Sequence, residues 1–432
     1  MIRRYETSNM RRIWSDENKF QRWLDVELAI LEAKANLHLI HPDVFSRTKR
    51  QARFTVERIE ELDAKINHDL LAFVQTIQES LDIDLRPYFH QDVTSYDTQE
   101  PATALIVRSA IEVIFRSLDA FMDEVKTKAL KYKHLVKIHR THGQHAEPTT
   151  LGLEFLWWYD ALLRQLDILG SAYEEMRLSK ISGAVGTYAG GLSPEIESWA
   201  LGILGLGRAK VSAQILLRDR HAQVMNALAT LAGVLEHISL NLRLMGQTET
   251  CEIQEPFKKD QKGSSRMPHK KNTILSENLC GLARVVRSNT AVALENIPTW
   301  SARDISHSSA ERIIFPDSFH AVDFMLWRLI KVFQDLVVNE ERIAENLNMT
   351  RGNIFSPEVK DLLMSAGVDP ETAYRISQQA AFQAWEEKRN YLDILLEIDR
   401  IPKKLKKGKL QAVFDISQKV RFVDEIFSRF KM

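Results

Sequence analysis

Apolar residues recur at helical spacing along almost the whole chain, and this periodicity limits the fold more than any other feature. One run begins after Ser15, and another extends from Asp219 to Met245. Further runs cover about 102–133, 150–180, 274–296 and 317–346. Several are longer than the ~10–14 residues of an average globular helix, and alternating runs that would predict strands are almost absent. The sequence predicts an all-α protein built on a central long-helix bundle.

The helical runs fall into three segments along the chain. We expect an N-terminal helical domain over 1–93, a central long-helix bundle domain over 94–346 and a C-terminal helical domain over 347–432. A chain of 432 residues is long enough for more than one domain.

The charge balance argues against several classes of partner. The chain has 58 Lys and Arg against 58 Asp and Glu, so no overall field attracts nucleic acid or an anionic membrane. The basic run "PKKLKKGK" at 402–409 is typical of a solvated surface turn. The two cysteines cannot form a disulfide framework, and no secretory signal or membrane-spanning run is evident. We expect a soluble, cytoplasmic protein.

Four stretches without periodicity interrupt the helices and carry most of the reactive side chains. They are "NHDLLAF" (67–73), "DVTSYD" (92–97), "HRTHGQHAEPTT" (139–150) and "KGSSRMPHKKN" (262–272). In the second, Thr94 and Ser95 offer hydroxyls beside a predicted helix N-terminus, which suits a carboxylate or phosphate.

Three histidines in the third stretch allow either a metal or a proton-transfer interpretation. Gly143 and Pro148 disturb the helix that would place His139, His142 and His145 on one face, and no acid or cysteine is suitably spaced. The sequence therefore predicts no metal site here. Imidazole titrates near neutral pH, so proton transfer by His142 or His145 competes with a packing role.

The fourth stretch has four cations and no acid. It could be an exposed basic turn. Alternatively, Ser264 or Ser265 could act as a base if Lys270 and backbone N–H groups stabilise its alkoxide. The cations would then hold substrate carboxylates. From the residues alone, this predicts acid/base chemistry on an anionic substrate.

Five motifs, in order, resemble a known family. "GSSRMPHKKN" resembles the GSSxMPxKxN signature of the fumarase/aspartase superfamily. "RTHGQHAEPTT", "SARDISHSSAER" (301–312), "NHD" and the N-terminal "MRRIWSDENKFQRWLDVEL" are similar to its adenylosuccinate lyase family. The resemblance implies release of fumarate from adenylosuccinate, giving AMP, and from the succinyl-aminoimidazole-carboxamide ribotide, without metal or organic cofactor. It also implies a homotetramer whose active sites are shared between subunits.

The resemblance implies a role for each matching residue. Ser264 would be the general base and His142 the general acid, with His68 orienting the substrate. Lys270 would stabilise the developing negative charge. The implied substrate-binding residues are Arg4, Tyr5, Asn67, Asp69, Thr94, Ser95, Thr141, Gln214, Ser265, Met267, Asn272, Arg303, Ser308, Ser309 and Arg312.

Three residues depart from the family pattern. Tyr96 stands where a second serine is usual, Arg266 replaces a small or apolar residue, and Thr273 replaces a proline. They bear on which succinylated amines the site accepts. Other interpretations are a superfamily lyase or cycloisomerase acting on a different succinyl compound, and a catalytically silent structural relative. A nucleic-acid-binding protein would rest on 402–409 alone.

Overall fold

The computed structural model of the protein describes residues 1–406 and 408–432. The chain packs into two compact units. The first unit contains Met1–Phe121, Leu162–His237 and Asn278–Leu329, and the second contains Met122–Ala161, Ile238–Glu277 and Ile330–Met432. The three-domain division drawn along the sequence remains a prediction.

The described residues form eighteen α-helices and six short strands, which confirms the predicted all-α fold class. The first nine helices are α1 (Ser8–Ile13), α2 (Asp16–Asn36), α3 (Pro42–Gln51), α4 (Val56–Ile66), α5 (Asp69–Glu79), α6 (Ser95–Lys131), α7 (Leu151–Glu175), α8 (Pro194–Ile203) and α9 (Asp219–Met245). The other nine are α10 (Ile274–Glu295), α11 (Ser306–Gln334), α12 (Glu340–Asn348), α13 (Ser356–Ser365), α14 (Pro370–Glu386), α15 (Tyr391–Glu397), α16 (Lys403–Lys406), α17 (Lys409–Ala412) and α18 (Val423–Ser428). The strands are β1 (Val136–Thr141), β2 (Gln144–Thr150), β3 (Leu178–Ser179), β4 (Gly207–Arg208), β5 (Ile253–Gln254) and β6 (Val337–Val338).

Within those residues, none of the helices combines the length and the apolar character needed to cross a bilayer.

Hydrogen bonds between long helices support the core of the first unit. Asn289 in α10 donates to the Ser318 hydroxyl in α11 at 3.0 Å. Thr290 in α10 donates to the Met225 carbonyl in α9 at 3.1 Å. The apolar faces of α6, α9 and α11 are buried, and their buried residues include Ile111, Ile114, Leu118, Leu228, Leu231, Phe319, Val322 and Met325.

The second unit has its own core among the C-terminal helices. Tyr391 at the start of α15 is fully buried, and its hydroxyl lies 2.7 Å from the Ser377 hydroxyl of α14. The surrounding cluster contains Val359, Leu363, Ala373, Ile376, Ala380, Ile394, Leu395, Leu405 and Leu410.

The longest strands form a hairpin where the sequence analysis expected a loop. β1 and β2 pair in antiparallel fashion, and the two residues between them are His142 and Gly143. Their φ angles are +55° and +76°. Positive φ at both central residues is the requirement of a two-residue type I′ turn, for which glycine in the second position is well suited. The His-Gly pair is thus the local signal for this hairpin.

The run predicted over 317–346 is two helices rather than one. α11 begins earlier, at Ser306, and includes Pro316; it ends at Gln334. α12 begins after Asn339, whose side-chain oxygen accepts a hydrogen bond from the Arg342 N–H at 3.1 Å. Asparagine is a strong N-cap, and the short β5–β6 pairing occupies the break.

A buried group of charges anchors the hairpin in the second unit. Lys137 of β1 lies 2.5 Å from Glu154 and 3.2 Å from Glu252, and all three side chains are at most 5% exposed. Arg140 of β1 lies 2.9 Å from the other Glu252 oxygen. Burial raises the pKa of Glu252, but Lys137, Arg140 and Asn346 outweigh it, so this pKa lies below its usual value.

Replacing Lys137 with methionine should destabilise the fold by about 3 kcal/mol, because two buried carboxylates would lose their shared cation. The loss is measured by urea unfolding at pH 7. Lys360→Met, which removes only an exposed ion pair, is the matched control and should cost less than about 1 kcal/mol. Because the folded pKa of Glu252 is depressed, its contribution holds above about pH 4.3 and is lost as the pH falls. A Lys137→Met protein as stable as the control would contradict this account.

Candidate active site

The residues singled out in the sequence occur in two groups, one in each unit. In the first unit, several of them line a cavity beside the N-terminus of α6. Those in the second unit lie on the β1–β2 hairpin and on the segment between β5 and α10.

The N-terminus of α6 is fixed by a buried aspartate. Asp97 accepts a hydrogen bond from the Thr94 N–H at 2.8 Å, as the acidic residue of a capping box does. Its other oxygen lies 2.7 Å from the Lys180 ammonium and accepts the Ser182 N–H at 2.9 Å. Asp97 is fully buried, and Lys180 is 1% exposed. The position of Ser95, the first residue of α6, therefore depends on this buried pair.

A cavity of about 390 Å³ lies beside this helix start. The predicted residues that line it are Asn67, His68, Asp69, Ser95, Arg303, Ser308 and Arg312. Asp63, Tyr96, Gln99 and Ile305 also line it, although no motif in the sequence assigned them to a site. Asp63 and Gln99 lie on helix surfaces, one turn from a motif residue, so helical spacing is the one signal that could have found them.

His68 is held as the N-cap of α5. Its Nδ1 atom accepts a hydrogen bond from the Leu71 N–H at 3.3 Å. Since Nδ1 accepts, the proton of a neutral imidazole is on Nε2. The adjoining Asn67 has φ +52° and ends α4. The ring is exposed at the cavity and can donate a hydrogen bond to a ligand there.

Two arginines give the cavity its positive charge. Arg312 lies 2.7 Å from Asp69. Arg303 donates from Nη1 to the Gln214 side-chain oxygen at 3.1 Å. Guanidinium groups bind phosphate or carboxylate through paired N–H donors, so this end of the cavity suits an anion.

Below the cavity, a buried ion network supports the first turns of α11. Arg218 lies 2.5 Å from Glu100 and 3.0 Å from Glu311. Burial raises the pKa of Glu311, but Arg218 and the hydrogen bond with His307 lower it more, to about 2. Glu311 is therefore ionised near neutral pH and retains Arg218, which fixes the helix that carries Ser308.

In the second unit, the hairpin presents His142 at its tip. The side chain is exposed, and its left-handed backbone conformation is uncommon for a residue with a side chain. Thr141 is the last residue of β1, and His145 lies in β2. Burial and the charge of Arg140 lower the pKa of His145, so this ring is neutral at pH 7. The hairpin thus presents one exposed imidazole next to a neutral one.

Among residues 1–406 and 408–432, no three or more histidine, cysteine, aspartate or glutamate side chains are grouped to hold an ion.

Ser264 is placed as the acceptor of two backbone hydrogen bonds. Its hydroxyl oxygen accepts from the Met267 N–H at 3.0 Å and from the Arg266 N–H at 3.3 Å. Two N–H groups aimed at one oxygen stabilise negative charge on it. The neighbouring Ser265, Met267 and Lys270 are exposed on the same segment.

The segment is closed at its base by close backbone contact. Asn272 donates to the Gly263 carbonyl at 2.9 Å. A Cβ added to Gly263 would lie 1.9 Å from the Lys270 carbonyl oxygen, so only glycine fits. Glu255 accepts from the N–H groups of Leu275 and Ser276 at 3.0 and 2.8 Å, which fixes the start of α10. These contacts define the loop over 262–272 as a closed structure.

Five predicted substrate-binding residues of the first unit do not line the cavity: Arg4, Tyr5, Thr94, Gln214 and Ser309. Arg4 and Tyr5 lie in a short 3₁₀ helix, and the Tyr5 ring packs against Phe324 at 5.2 Å. Phe324 is twelve residues beyond Arg312, about 18 Å along α11. Ser309 is exposed and donates to the Ser306 carbonyl. Within one chain, therefore, the Tyr5 ring lies well beyond Arg312 along α11.

Comparisons with known proteins agree over the whole chain. Residues 3–288 match the family model described as lyase, and residues 352–430 match the model of the adenylosuccinate lyase C-terminus. The chain is 42% identical to adenylosuccinate lyase of Thermotoga maritima, with 100% of both chains covered. It is 41% identical to that of Aquifex aeolicus, over 99% of this chain and 98% of the relative.

A solved structure shows the same fold at low sequence identity. The 3-carboxy-cis,cis-muconate lactonizing enzyme of Pseudomonas putida superposes with a TM-score of 0.89 at 23% identity. The match covers 98% of this chain and 96% of the other. At this identity, the likeness concerns the fold alone.

Gly263→Ala should open the loop over 262–272, because the added methyl group would displace the Lys270 carbonyl. We expect trypsin to cleave within the loop about tenfold faster, as measured by mass spectrometry of timed digests. Gly281→Ala is the matched control, since an added Cβ there meets no atom within 4 Å. Equal cleavage rates in the two variants would contradict the tight closure.

Proposed function

Since the chain belongs to the adenylosuccinate lyase family, we propose that it releases fumarate from adenylosuccinate, leaving AMP, in purine nucleotide biosynthesis. The second substrate is the succinyl-aminoimidazole-carboxamide ribotide. The enzyme is a carbon–nitrogen lyase. In each reaction a base removes a proton next to a carboxylate, the C–N bond breaks, and an acid protonates the departing nitrogen.

The surroundings of the Ser264 hydroxyl carry the assignment of the base. A serine is too weak a base unless its alkoxide is stabilised. The N–H groups of Arg266 and Met267 both point at this oxygen, and the loop has no acidic residue. Ser264 can thus hold the negative charge that it needs to abstract the proton.

The same loop can also stabilise the negative charge that develops on the substrate. Proton abstraction places extra negative charge on the adjacent carboxylate, and a nearby ammonium stabilises it. Lys270 is exposed on the loop, and Asn272 fixes its base through Gly263. Lys270 therefore stabilises the intermediate, while Asn272, Ser265 and Met267 shape the site around the succinyl group.

His142 is the general acid in this proposal. It is exposed at the tip of a hairpin whose first strand is held by buried ion pairs. Imidazolium can deliver a proton at neutral pH, and the tight turn fixes the backbone from which the His142 ring extends. Thr141 binds substrate beside it, and His68 orients the substrate through its Nε2–H.

The nucleotide occupies the cavity of the first unit. Arg303, Ser308 and Arg312 bind its phosphate, and Asp69 gives up Arg312 as the phosphate enters. The remaining contacts are assigned from the family motifs. Thr94 and Ser95 bind the succinyl side, and Asn67, Gln214 and Ser309 complete the site.

Assembly into a homotetramer would complete each active site. Phe324, which the Tyr5 ring contacts, is about 18 Å along α11 from Arg312, so a second chain would supply Tyr5 if it binds the same nucleotide. Val285 and Val292 of α10 are exposed seven residues apart, on one helix face. Leu240 and Leu244 are likewise exposed on α9. Such faces suit contact with identical chains in closed symmetry.

The proposed compartment is the cytoplasm. Cys251 is a free thiol in the structure, which suits a reducing environment. The balanced charge supports small anionic substrates and identical subunits as the partners, rather than nucleic acid or membrane.

Ser264→Ala and His142→Ala should each lower kcat for adenylosuccinate at least about 100-fold, since each removes one proton-transfer group. Fumarate release is measured by absorbance. Ser365→Ala and His38→Ala are matched controls: both are surface positions, and His38 has φ +58°, close to that of His142. We expect both controls to keep kcat within about twofold. Near-normal kcat in Ser264→Ala would remove serine from the role of base.

Mixing the two inactive variants tests whether the sites are shared. After dissociation and reassociation, some sites in a Ser264→Ala and His142→Ala mixture should contain neither change, so part of the activity should return. A confirmed mixed tetramer without recovered activity would place both residues on one chain. A monomer that turns over substrate at assay concentration would refute shared sites.

A further inference from the structure

Tyr96 lies in the wall of the cavity, where the family motif usually has a serine. It is in the first turn of α6 and is 5% exposed. The Arg303 guanidinium carbon lies 3.9 Å from the centre of its ring. This distance is well within the ~6 Å over which a cation is attracted to an aromatic face.

Arg303 differs from the other arginine of the cavity in how its charge is balanced. Arg312 has an ion pair with Asp69. Arg303 has no carboxylate within ion-pair distance in the part of the chain that the structure describes, and its side-chain hydrogen bond is to the neutral Gln214. Its Nε atom is buried without a hydrogen-bond partner. The guanidinium is therefore not paired with a carboxylate among the described residues, and it has N–H donors left for a ligand.

Tyr96 is itself held in place from several sides. The ring of His307 meets it edge-on, with 5.6 Å between centroids. Burial raises the pKa of its phenol, and Arg218 and the Ser308 hydroxyl act in the opposite direction without cancelling that effect. The phenol is therefore neutral at pH 7, and the ring offers Arg303 a fixed, electron-rich surface.

We propose that Tyr96 is a positioning residue whose ring face holds the Arg303 guanidinium in the orientation that binds the nucleotide phosphate. A planar guanidinium binds phosphate best through two parallel N–H groups, so a small rotation loses one of them. The proposal rests on the proposed function, because it takes Arg303 as a phosphate ligand. The serine usual at this position would offer the guanidinium no aromatic face.

Two other roles for Tyr96 predict different results. If the hydroxyl contact with Ser308 matters, Tyr96→Phe will weaken phosphate binding as much as loss of the ring. If the ring only fills space, AMP affinity will not depend on the electron density of the ring face. Fluorination separates these cases, because successive fluorine atoms on phenylalanine withdraw charge from the ring face with little change in size.

The experiment places phenylalanine and its mono-, di- and trifluorinated forms at position 96 and measures AMP binding by calorimetry. Tyr96→Phe should bind AMP within about twofold of the unmodified protein, since the ring remains. Affinity should then fall stepwise, and the trifluorinated form should be about 3- to 30-fold weaker than Tyr96→Phe. KM for adenylosuccinate should rise in parallel, with kcat changed less than about threefold.

The chain contains a matched control for this series. Arg108 lies 3.7 Å from the ring centre of Tyr173, away from the cavity. The same substitutions at position 173 should leave AMP affinity unchanged. Competitive inhibition by fumarate, which has no phosphate, should stay constant across the series at position 96.

An AMP affinity that is flat across the series at position 96 would overturn the inference, as would an equal loss in the series at position 173. Loss of AMP binding already complete in Tyr96→Phe would also overturn it and assign the effect to the hydroxyl. Failure of the proposed function would be seen separately, as an unmodified protein that releases no fumarate. An active protein with a flat series refutes only the role of Tyr96.

Discussion

The buried pair of Asp97 and Lys180 is the interaction on which the geometry of the first unit depends. Asp97 joins the start of α6 to the backbone of Ser182 and Gly183, and Lys180 donates to the carbonyl oxygens of Gly183 and Gln214. Isolated buried charges are costly, but this pair is satisfied by several hydrogen bonds. It therefore fixes three chain segments at one point, and two of them carry cavity residues or their partners.

The second unit also has a buried ion pair, and there it supports the β1–β2 hairpin. Lys137 and Glu252 are buried below the hairpin, and Gly263 closes the loop of Ser264 by an approach that no other residue permits. In both units, buried ion pairs support short irregular segments, and the exposed reactive side chains lie on those segments. This division explains how long helices of ordinary composition can carry precise acid/base chemistry.

Much of the fold could be predicted because its signal is local. The apolar run from Asp219 to Met245 lies in α9 and the run after Ser15 lies in α2, since periodicity acts within a few residues. The hairpin was missed because strands of six and seven residues around a His-Gly turn show little alternation. The break at Asn339 was missed because apolar spacing continues across it, while the cap and the pairing of β5 with β6 interrupt the helix.

The candidate site was predictable only in part from the residues themselves. The loop composition indicated an anionic substrate and a serine near cations, but individual roles came from the family motifs. The backbone donors to Ser264 and the stack of Arg303 on Tyr96 need three-dimensional contact, and no spacing in the sequence encodes them. Tyr96 was visible beforehand only as a departure from the motif. Its contact with Arg303 in the structure connects that departure with phosphate binding.

The central claim is that the two groups of residues together eliminate fumarate from the succinylated nucleotides of purine biosynthesis. The most direct measurement is fumarate release by the unmodified, assembled protein, followed by absorbance with adenylosuccinate and with the succinyl-aminoimidazole-carboxamide ribotide as separate substrates. The account predicts turnover of both, because the chemistry acts on the shared succinyl group and the cavity binds the shared phosphate. A folded tetramer that binds these nucleotides and releases no fumarate from either would contradict it.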